Sequence, residues 1–295
     1  MGEPGASPKT HRNPTPYREA MRGGQEKISL HGAPETMLAT LYGRALDSRA
    51  RTPILGDTEA ARTVQLIDYD FRRTGITRST AFGAALRAKL LDDWTAEFLA
   101  AHPEATVLHL ACGLDSRARR VGPAPTVRWV DVDYPEVVEL RERLLPPPPA
   151  VDYRVIGSSV TDESWLEEVP ADRPTAAVFE GLSMYLHKDD GKRLVQRITA
   201  RFPSGQLLFD GFSSFGVRHQ RLITPVRRAG ATLHWAIDDP TELEHWHKGL
   251  RCLDAVRATD LPGTEKLSTT SRLVLWAILH TPGWRDADRV LRYEY

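Results

Sequence analysis

Between Thr106 and Asp210 the chain alternates five short apolar segments with longer stretches of mixed polarity, and this rhythm constrains the fold more than any other feature. The apolar segments are 106–110, 127–133, 153–157, 175–179 and 206–210. Each is too short for a stable helix and is bounded by turn residues, so each reads as a buried strand. The intervening segments, notably Glu136 to Leu145 and Asp189 to Phe202, carry the mixed spacing of helices. Strand–helix–strand repetition at this pitch predicts an α/β domain with a parallel sheet covered on both faces. Right-handed crossovers then bring every loop after a strand to one edge of the sheet, where open sheets bind ligands. Ala111–Asp115, Asp131–Asp133, Ser158–Asp162 and Glu180–Tyr185 all fall at that edge.

The flanks are organised differently. Met37, Leu38, Leu41, Tyr42 and Ala45 recur at three- and four-residue spacings, which predicts a helix. A second helix is expected from near Thr58, and a third from about Thr80 to the His102-Pro103 stop. Residues 1–30, rich in Gly, Pro and Arg, read as a flexible tail without the pattern of a secretory signal. From Phe212 to about Lys266 the alternation lapses into a segment with His219, His234, Trp235, His245, Trp246 and His247. A helix is expected there from Pro240 to Val256, and Arg272 to His280 reads as a strand. The expected division is a tail (1–30), a helical lead-in (31–105), a Rossmann-like core (106–211), a cap-like insertion (212–266) and C-terminal strands completing the sheet (267–295).

Composition narrows the function. Lys plus Arg and Asp plus Glu both number 39, so no net field draws the chain to nucleic acid or an anionic membrane. The longest apolar run, Leu273 to Leu279, falls far short of the roughly 18 residues of a membrane span. Two cysteines make a disulfide framework improbable and a reducing cytoplasm the natural compartment. The expected partner is a small molecule, and a homodimer remains open.

The first loop invites a dinucleotide reading, but Ala111-Cys112-Gly113-Leu114-Asp115 holds one glycine where the pyrophosphate fingerprint needs three. No Gly-Lys-Ser or Gly-Lys-Thr occurs for an ATP loop. A nucleoside without phosphates, such as S-adenosylmethionine, asks less. Gly113 can supply a tight turn, and the carboxylate of Asp133, at the end of the second strand, can accept from both ribose hydroxyls. The alternative for Asp133 is a turn acid before Tyr134-Pro135.

Arg87-Ala88-Lys89, Leu110 to Arg117, Asp131 to Glu136 and Glu180 to Leu186 occur in that order. Together they resemble the leucine carboxyl methyltransferase family, specifically its bacterial branch of tetracenomycin-type O-methyltransferases, over roughly Ala33 to Phe212. The resemblance implies a class I, Rossmann-like methyltransferase fold that uses S-adenosylmethionine without a metal and releases S-adenosylhomocysteine. It also implies cofactor roles for Arg87 on the methionine carboxylate, for Ala111, Gly113 and Asp115 along the methionyl part, and for Asp133 on the ribose. Ser159 and Val160 would flank adenine, and Glu180 the inner edge of the cofactor. Two departures stand out: Ala111 occupies a position where the family usually has glycine, and Ser159 replaces the usual acid, leaving Asp162 as a substitute. Alternatively, Arg87 pairs with Asp92 or Asp93, and Met184 and Tyr185 are core.

Methyl transfer from a sulfonium is an in-line displacement that needs alignment, dryness and a deprotonated acceptor. A carboxylate acceptor needs steering only, for which Arg78, Arg218 and Tyr185 are candidates. A phenol benefits from a base, for which His187, His219 and His234 are candidates. His245-Trp246-His247 does not complete a metal site, since residues two apart leave a helix on different faces. The resulting expectation is an O-methyltransferase of secondary metabolism acting on a carboxyl or phenolic oxygen of a polyketide-like aromatic. Methylation of a peptide C-terminus, or a cofactor-binding homologue with another or no activity, are the alternatives.

Overall fold

A computed structural model describes residues 25–28, 32–148 and 151–295. The expected tail lies outside these residues except for Gln25 to Ile28, as does Pro149 of the four-proline loop. Strands β1 (Glu26–Lys27) and β2 (Ile67–Asp68) pair in parallel. Helices α1 (Ala33–Ser48), α2 (Thr58–Leu66) and α3 (Phe82–Ala101) form the lead-in. Pro34 at the start of α1 and the Asp57 carboxylate accepting from the Ala60 N–H mark where the first two begin. Asp47, near the end of α1, accepts from the N–H groups of Ile54, Leu55 and Gly56 and so fixes the turn into α2.

The alternating segment then delivers β3 (Thr106–Leu110), α4 (Arg117–Val121), β4 (Arg128–Asp133), α5 (Pro135–Leu144), β5 (Asp152–Gly157), α6 (Ser164–Glu167), β6 (Thr175–Phe179), α7 (Lys188–Arg201) and β7 (Gly205–Phe212). Helices α8 (Ser214–Arg218) and α9 (Thr224–Ala229), strand β8 (Arg251–Arg257), helix α10 (Thr269–His280) and strand β9 (Asp288–Glu294) complete the chain. The seven-stranded sheet has the order β5-β4-β3-β6-β7-β9-β8. Strands β3 to β7 are parallel, whereas β9 runs antiparallel to both β7 and β8. This is the Rossmann-like class I methyltransferase arrangement, and the order reverses between β3 and β6.

Alternate residues of the strands feed two cores. Leu108, Val130, Ala177, Leu207 and Phe209 pack against Leu194, Val195 and Ile198 of α7 and against Trp235 and Trp246. Val107, Trp129, Val178 and Leu208 pack against Leu86, Leu91 and Trp94 of α3. Both faces are thus covered, as the near-continuous apolar strands require.

Two expected elements are corrected. The helix expected over Pro240 to Val256 is a 3-10 turn at Pro240–Trp246 followed by β8, because His247 is extended and Gly249, at φ 100°, turns the chain into the strand. Its continuation pairs with β9, so the insertion contributes an edge strand as well as a covering wall. The strand expected over Arg272 to His280 is α10, capped by Ser268 accepting from the Ser271 N–H. Of the C-terminal segment, only β9 joins the sheet.

Candidate active site

A cavity of about 420 Å³ opens at the carboxyl ends of β3, β4 and β6, beside the reversal in strand order. Its volume suits a small-molecule site. The chain leaves β3 through Ala111 at φ 49° and Gly113 at φ 48°; Ala111 is the only described non-glycine residue with positive φ. This tight reversal points the Gly113 N–H at Asp133 Oδ2, 2.7 Å away, while the Tyr134 N–H donates to Asp133 Oδ1 at 2.8 Å. The first bond ties the loop after β3 to the end of β4, the second fixes the carboxylate locally, and each carboxylate oxygen keeps a further lone pair. Burial pushes the Asp133 carboxyl up, against the pull of those N–H donors. Asp133 therefore acts as a turn acid and a cavity-lining acceptor at once.

Beneath the loop lies a network of buried ions. Burial opposes ionisation of Asp115, but Arg120, Arg44 and Arg117 outweigh it and hold the carboxyl well below its ordinary range. Arg117, fully buried, bridges Asp92 at 2.7 Å and Glu180 at 2.6 Å. Glu180 is also gripped by Arg87 Nε at 3.0 Å, and these two cations keep it low despite burial. Arg87 Nη1 meets Asp210 Oδ2 at 3.0 Å. His109 of β3 donates from Nδ1 to Asp131 Oδ1 at 3.0 Å; Asp131 is itself held low, against burial, chiefly by Arg141.

Residues 38–199 match the leucine carboxyl methyltransferase family. The tetracenomycin polyketide synthesis O-methyltransferase TcmP of Streptomyces glaucescens is 42% identical over 270 residues, covering 92% of this chain and 99% of that protein. The chain belongs to the leucine carboxyl methyltransferase family. A second relative, the S-adenosyl-L-methionine-dependent methyltransferase dpfgK of Gibberella zeae, is 38% identical over 76% of this chain and 82% of its own. Among solved structures, a DUF574 family protein from Streptomyces avermitilis shares the fold, with a TM-score of 0.55 at 13% identity over 85% of this chain and 96% of that one. The chain is thus an S-adenosylmethionine-dependent methyltransferase.

Within this methyltransferase, Arg87, Ala111, Gly113, Asp115, Asp133, Val160, Glu180 and Tyr185 all line the cavity. The pairing of Arg87 differs from both alternatives read from sequence. Asp92 is taken by Arg117 and Arg120, and Asp93 by Lys89, so Arg87 turns to Glu180 and Asp210 instead. Two of its three guanidinium nitrogens already face protein carboxylates.

Several expected residues do not line the cavity. Ser159 bonds to Thr161, and its neighbours Ser158 and Val160 reach the cavity instead. Asp162 is exposed beyond it. Arg78 is exposed on the loop before α3, while Ile76 and Thr80 on either side line the wall. His187 and His234 are exposed with their rings 4.3 Å apart, because His187 sits at the outer start of α7. Arg218 is exposed too, and the His219 ring lies against Phe215 and bonds to its backbone oxygen. Burial pushes the Cys112 thiol up, which suits a packing residue.

The sequence reading missed His109, Asp210 and Asp288. Asp210 ends an apolar strand run as Asp133 and Glu180 do, so that criterion applied to the fifth strand would have found it. Asp288 had no such signal. It enters only because β9 pairs with β7 in a register that sets Asp288 opposite Phe212.

Proposed function

We propose that this methyltransferase transfers a methyl group to an oxygen of a small, polyketide-like aromatic acceptor, without a metal, in secondary metabolism. The observation that carries this reading is the two-sided cavity. One side is the Ala111–Asp115 loop with Asp133, and the other is an apolar wall that includes Phe212, Ile223 and Val226 from the insertion. A wall supplied by the insertion favours a molecule taken into the fold over a peptide end laid in a groove. The near full-length likeness to a polyketide O-methyltransferase supports the same class of acceptor.

In this reading S-adenosylmethionine supplies an activated methyl on a sulfonium. Asp133 accepts from the ribose hydroxyls with the lone pairs its backbone bonds leave free. The left-handed turn at Ala111 and Gly113 clears side chains from the methionyl path, Val160 and Ser158 border adenine, and Glu180 faces the ammonium group. Arg87 takes the carboxylate once its ion pair with Asp210 or its hydrogen bond to Glu180 yields, a substitution of one charged contact for another. The apolar wall excludes water and holds the acceptor in line. Calorimetric titration with S-adenosylhomocysteine is the test. One-to-one binding in the micromolar range is expected, and folded protein that binds neither this product nor S-adenosylmethionine would overturn the reading.

A further inference from the structure

We propose that the cavity mouth is an electrostatic funnel for an anionic aromatic acceptor, in which a rim of arginines speeds entry without holding the bound molecule. This rests on the methyl-transfer reading above and adds the charge of the acceptor to it. The whole chain balances 39 Lys and Arg against 39 Asp and Glu. Residues 71–80 and 213–237 nonetheless hold seven arginines between them and no Asp or Glu.

The fold brings these two segments together at the mouth. The second includes a flap whose base is closed by Gln220, which donates to the Leu233 carbonyl at 3.2 Å and accepts from the Leu233 N–H at 2.7 Å. Helix α9, within the flap, lies on the first segment. Arg228 Nη1 donates to the carbonyls of Arg72 at 2.7 Å and Arg73 at 3.3 Å. Gly75 permits this approach, since a Cβ there would collide with the Thr224 methyl. Ile76 and Thr80 of one segment and Ile223, Pro225 and Val226 of the other line the cavity. Beside them, Arg72, Arg73, Arg78, Arg221, Arg227 and Arg228 are exposed.

Little cancels these charges. Of the adjoining acids, Asp70 pairs with Arg72 at 2.9 Å and Glu35 accepts from the Tyr69 hydroxyl at 2.8 Å. Arg73 lies over the Tyr69 ring, and Arg228 is bound to neutral carbonyls. Arg78, Arg221 and Arg227 pair with no carboxylate among the described residues. Low-dielectric walls focus the field of such a rim and raise the encounter rate of an opposite charge about 10-fold or more. The flap side chains that line the cavity are uncharged, so an acceptor inside is selected by shape. Charges at a rim act on association, whereas buried charge pairs act on dissociation. An aromatic carboxylate fits both parts, with an anion for the rim and an apolar ring for the wall. A phenol, neutral at pH 7, gains nothing from the rim.

The test is stopped-flow binding of 2-naphthoate and neutral 2-naphthol to protein loaded with S-adenosylhomocysteine. At about 20 mM salt the naphthoate should enter about tenfold faster, and about 0.3 M salt should remove most of that advantage. Arg78→Glu with Arg227→Glu should lower the naphthoate on-rate about tenfold. Its off-rate, the naphthol rates and S-adenosylhomocysteine affinity should stay within about twofold. Both arginines are exposed and unpaired, so the reversal should leave the fold intact. Lys248→Glu with Arg251→Glu makes the same change in net charge at the opposite edge of the sheet, where Arg251 faces Glu294, and should leave every rate unchanged. The field can also be read without a ligand, from the rates at which a cysteine reacts with anionic 5,5′-dithiobis(2-nitrobenzoate) and neutral 4,4′-dithiodipyridine. In a Cys252→Ser background the anionic-to-neutral ratio should be about fivefold higher for Leu222→Cys, on the flap, than for Leu253→Cys, on β8. Equal ratios at the two positions, naphthoate that enters no faster than naphthol or not at all, or a charge reversal felt only in the off-rate overturns the proposal. Failure to bind S-adenosylhomocysteine would instead strike the methyl-transfer reading on which it rests.

Discussion

The two sides of the cavity are built by opposite means. Under the first loop, Arg44, Asp57, Asp92, Asp115, Arg117, Arg120 and Glu180 form a continuous set of buried ion pairs, several at 2.6–2.9 Å. Across the cavity, Met184, Val226 and Leu233 make a small apolar cluster with Tyr185, Phe212 and Ile223 against it. The polar side costs desolvation energy and returns geometry, because each charged group is held from two or more directions before any ligand arrives. The apolar side specifies only volume and shape, which tolerate repacking. The first suits a ligand held through fixed polar contacts, and the second one selected by volume and shape.

The sharpest way to break this contrast is to remove one charge. Arg117→Leu leaves Asp92 and Glu180 short of a partner and should cost about 3–5 kcal/mol in urea unfolding. On the other side, Val226→Ala should cost about 1–2 kcal/mol, the transfer energy of the deleted methyl groups plus a small cavity. Equal losses would mean that the ion network is not the more strongly determined half. Next in size is the ligand response. In Asp133→Asn an NH2 group must face the N–H of either Gly113 or Tyr134, so S-adenosylhomocysteine should bind about 10–100-fold more weakly. Unchanged affinity in calorimetry would remove Asp133 from the ribose.

The same contrast sets how much was legible in sequence. Strands β3 to β7 and the loops after them could be read because each is a local pattern, an apolar run ended by a turn residue. Asp133, Gly113 and Glu180 inherit that legibility, since their place in the site follows from their place at a strand end. Arg87 was legible as a site residue, but its partners come from Glu180 and Asp210, which are more than 90 residues away. Helix α10 was misread because Leu273 to Leu279 is apolar throughout and carries no period that tells helix from strand. Asp288 was least legible of all, since it depends on the antiparallel return of β9 and its register with β7.

Acid and alkali should separate the two sides as well. Asp115, Asp131 and Glu180 have folded pKa values below their unfolded ones, so their contribution is present above about pH 4 and is lost as pH falls through the depressed values. Asp288 is the reverse case. Raised to about 7, it favours the fold below its unfolded pKa and loses that contribution as pH rises toward 7 and beyond. Asp288→Asn should therefore match wild type near pH 4 and gain about 1–2 kcal/mol at pH 8, after a discount for the face open to the cavity. Scanning calorimetry should show a gain of roughly 2–3 °C at pH 8. A variant that melts lower at pH 8 would show that the carboxylate stabilises the fold when ionised.

The smallest effect concerns the polar side's one conformational strain. Ala111 holds φ 49°, where an L-residue with a Cβ pays roughly 1–2 kcal/mol. Glycine would remove that cost but would add freedom to the unfolded chain worth roughly 0.4–1 kcal/mol. Ala111→Gly should therefore stabilise the protein by only about 0.5–1 kcal/mol, or roughly 1–2 °C in melting temperature. The hydrogen bond from Gly113 to Asp133 already sets the turn, so affinity for S-adenosylhomocysteine should stay within about twofold of wild type. If affinity instead fell several-fold while stability rose, Ala111 would be holding the loop in its binding form, and preorganisation would rest on this single residue as well as on the ion pairs below it.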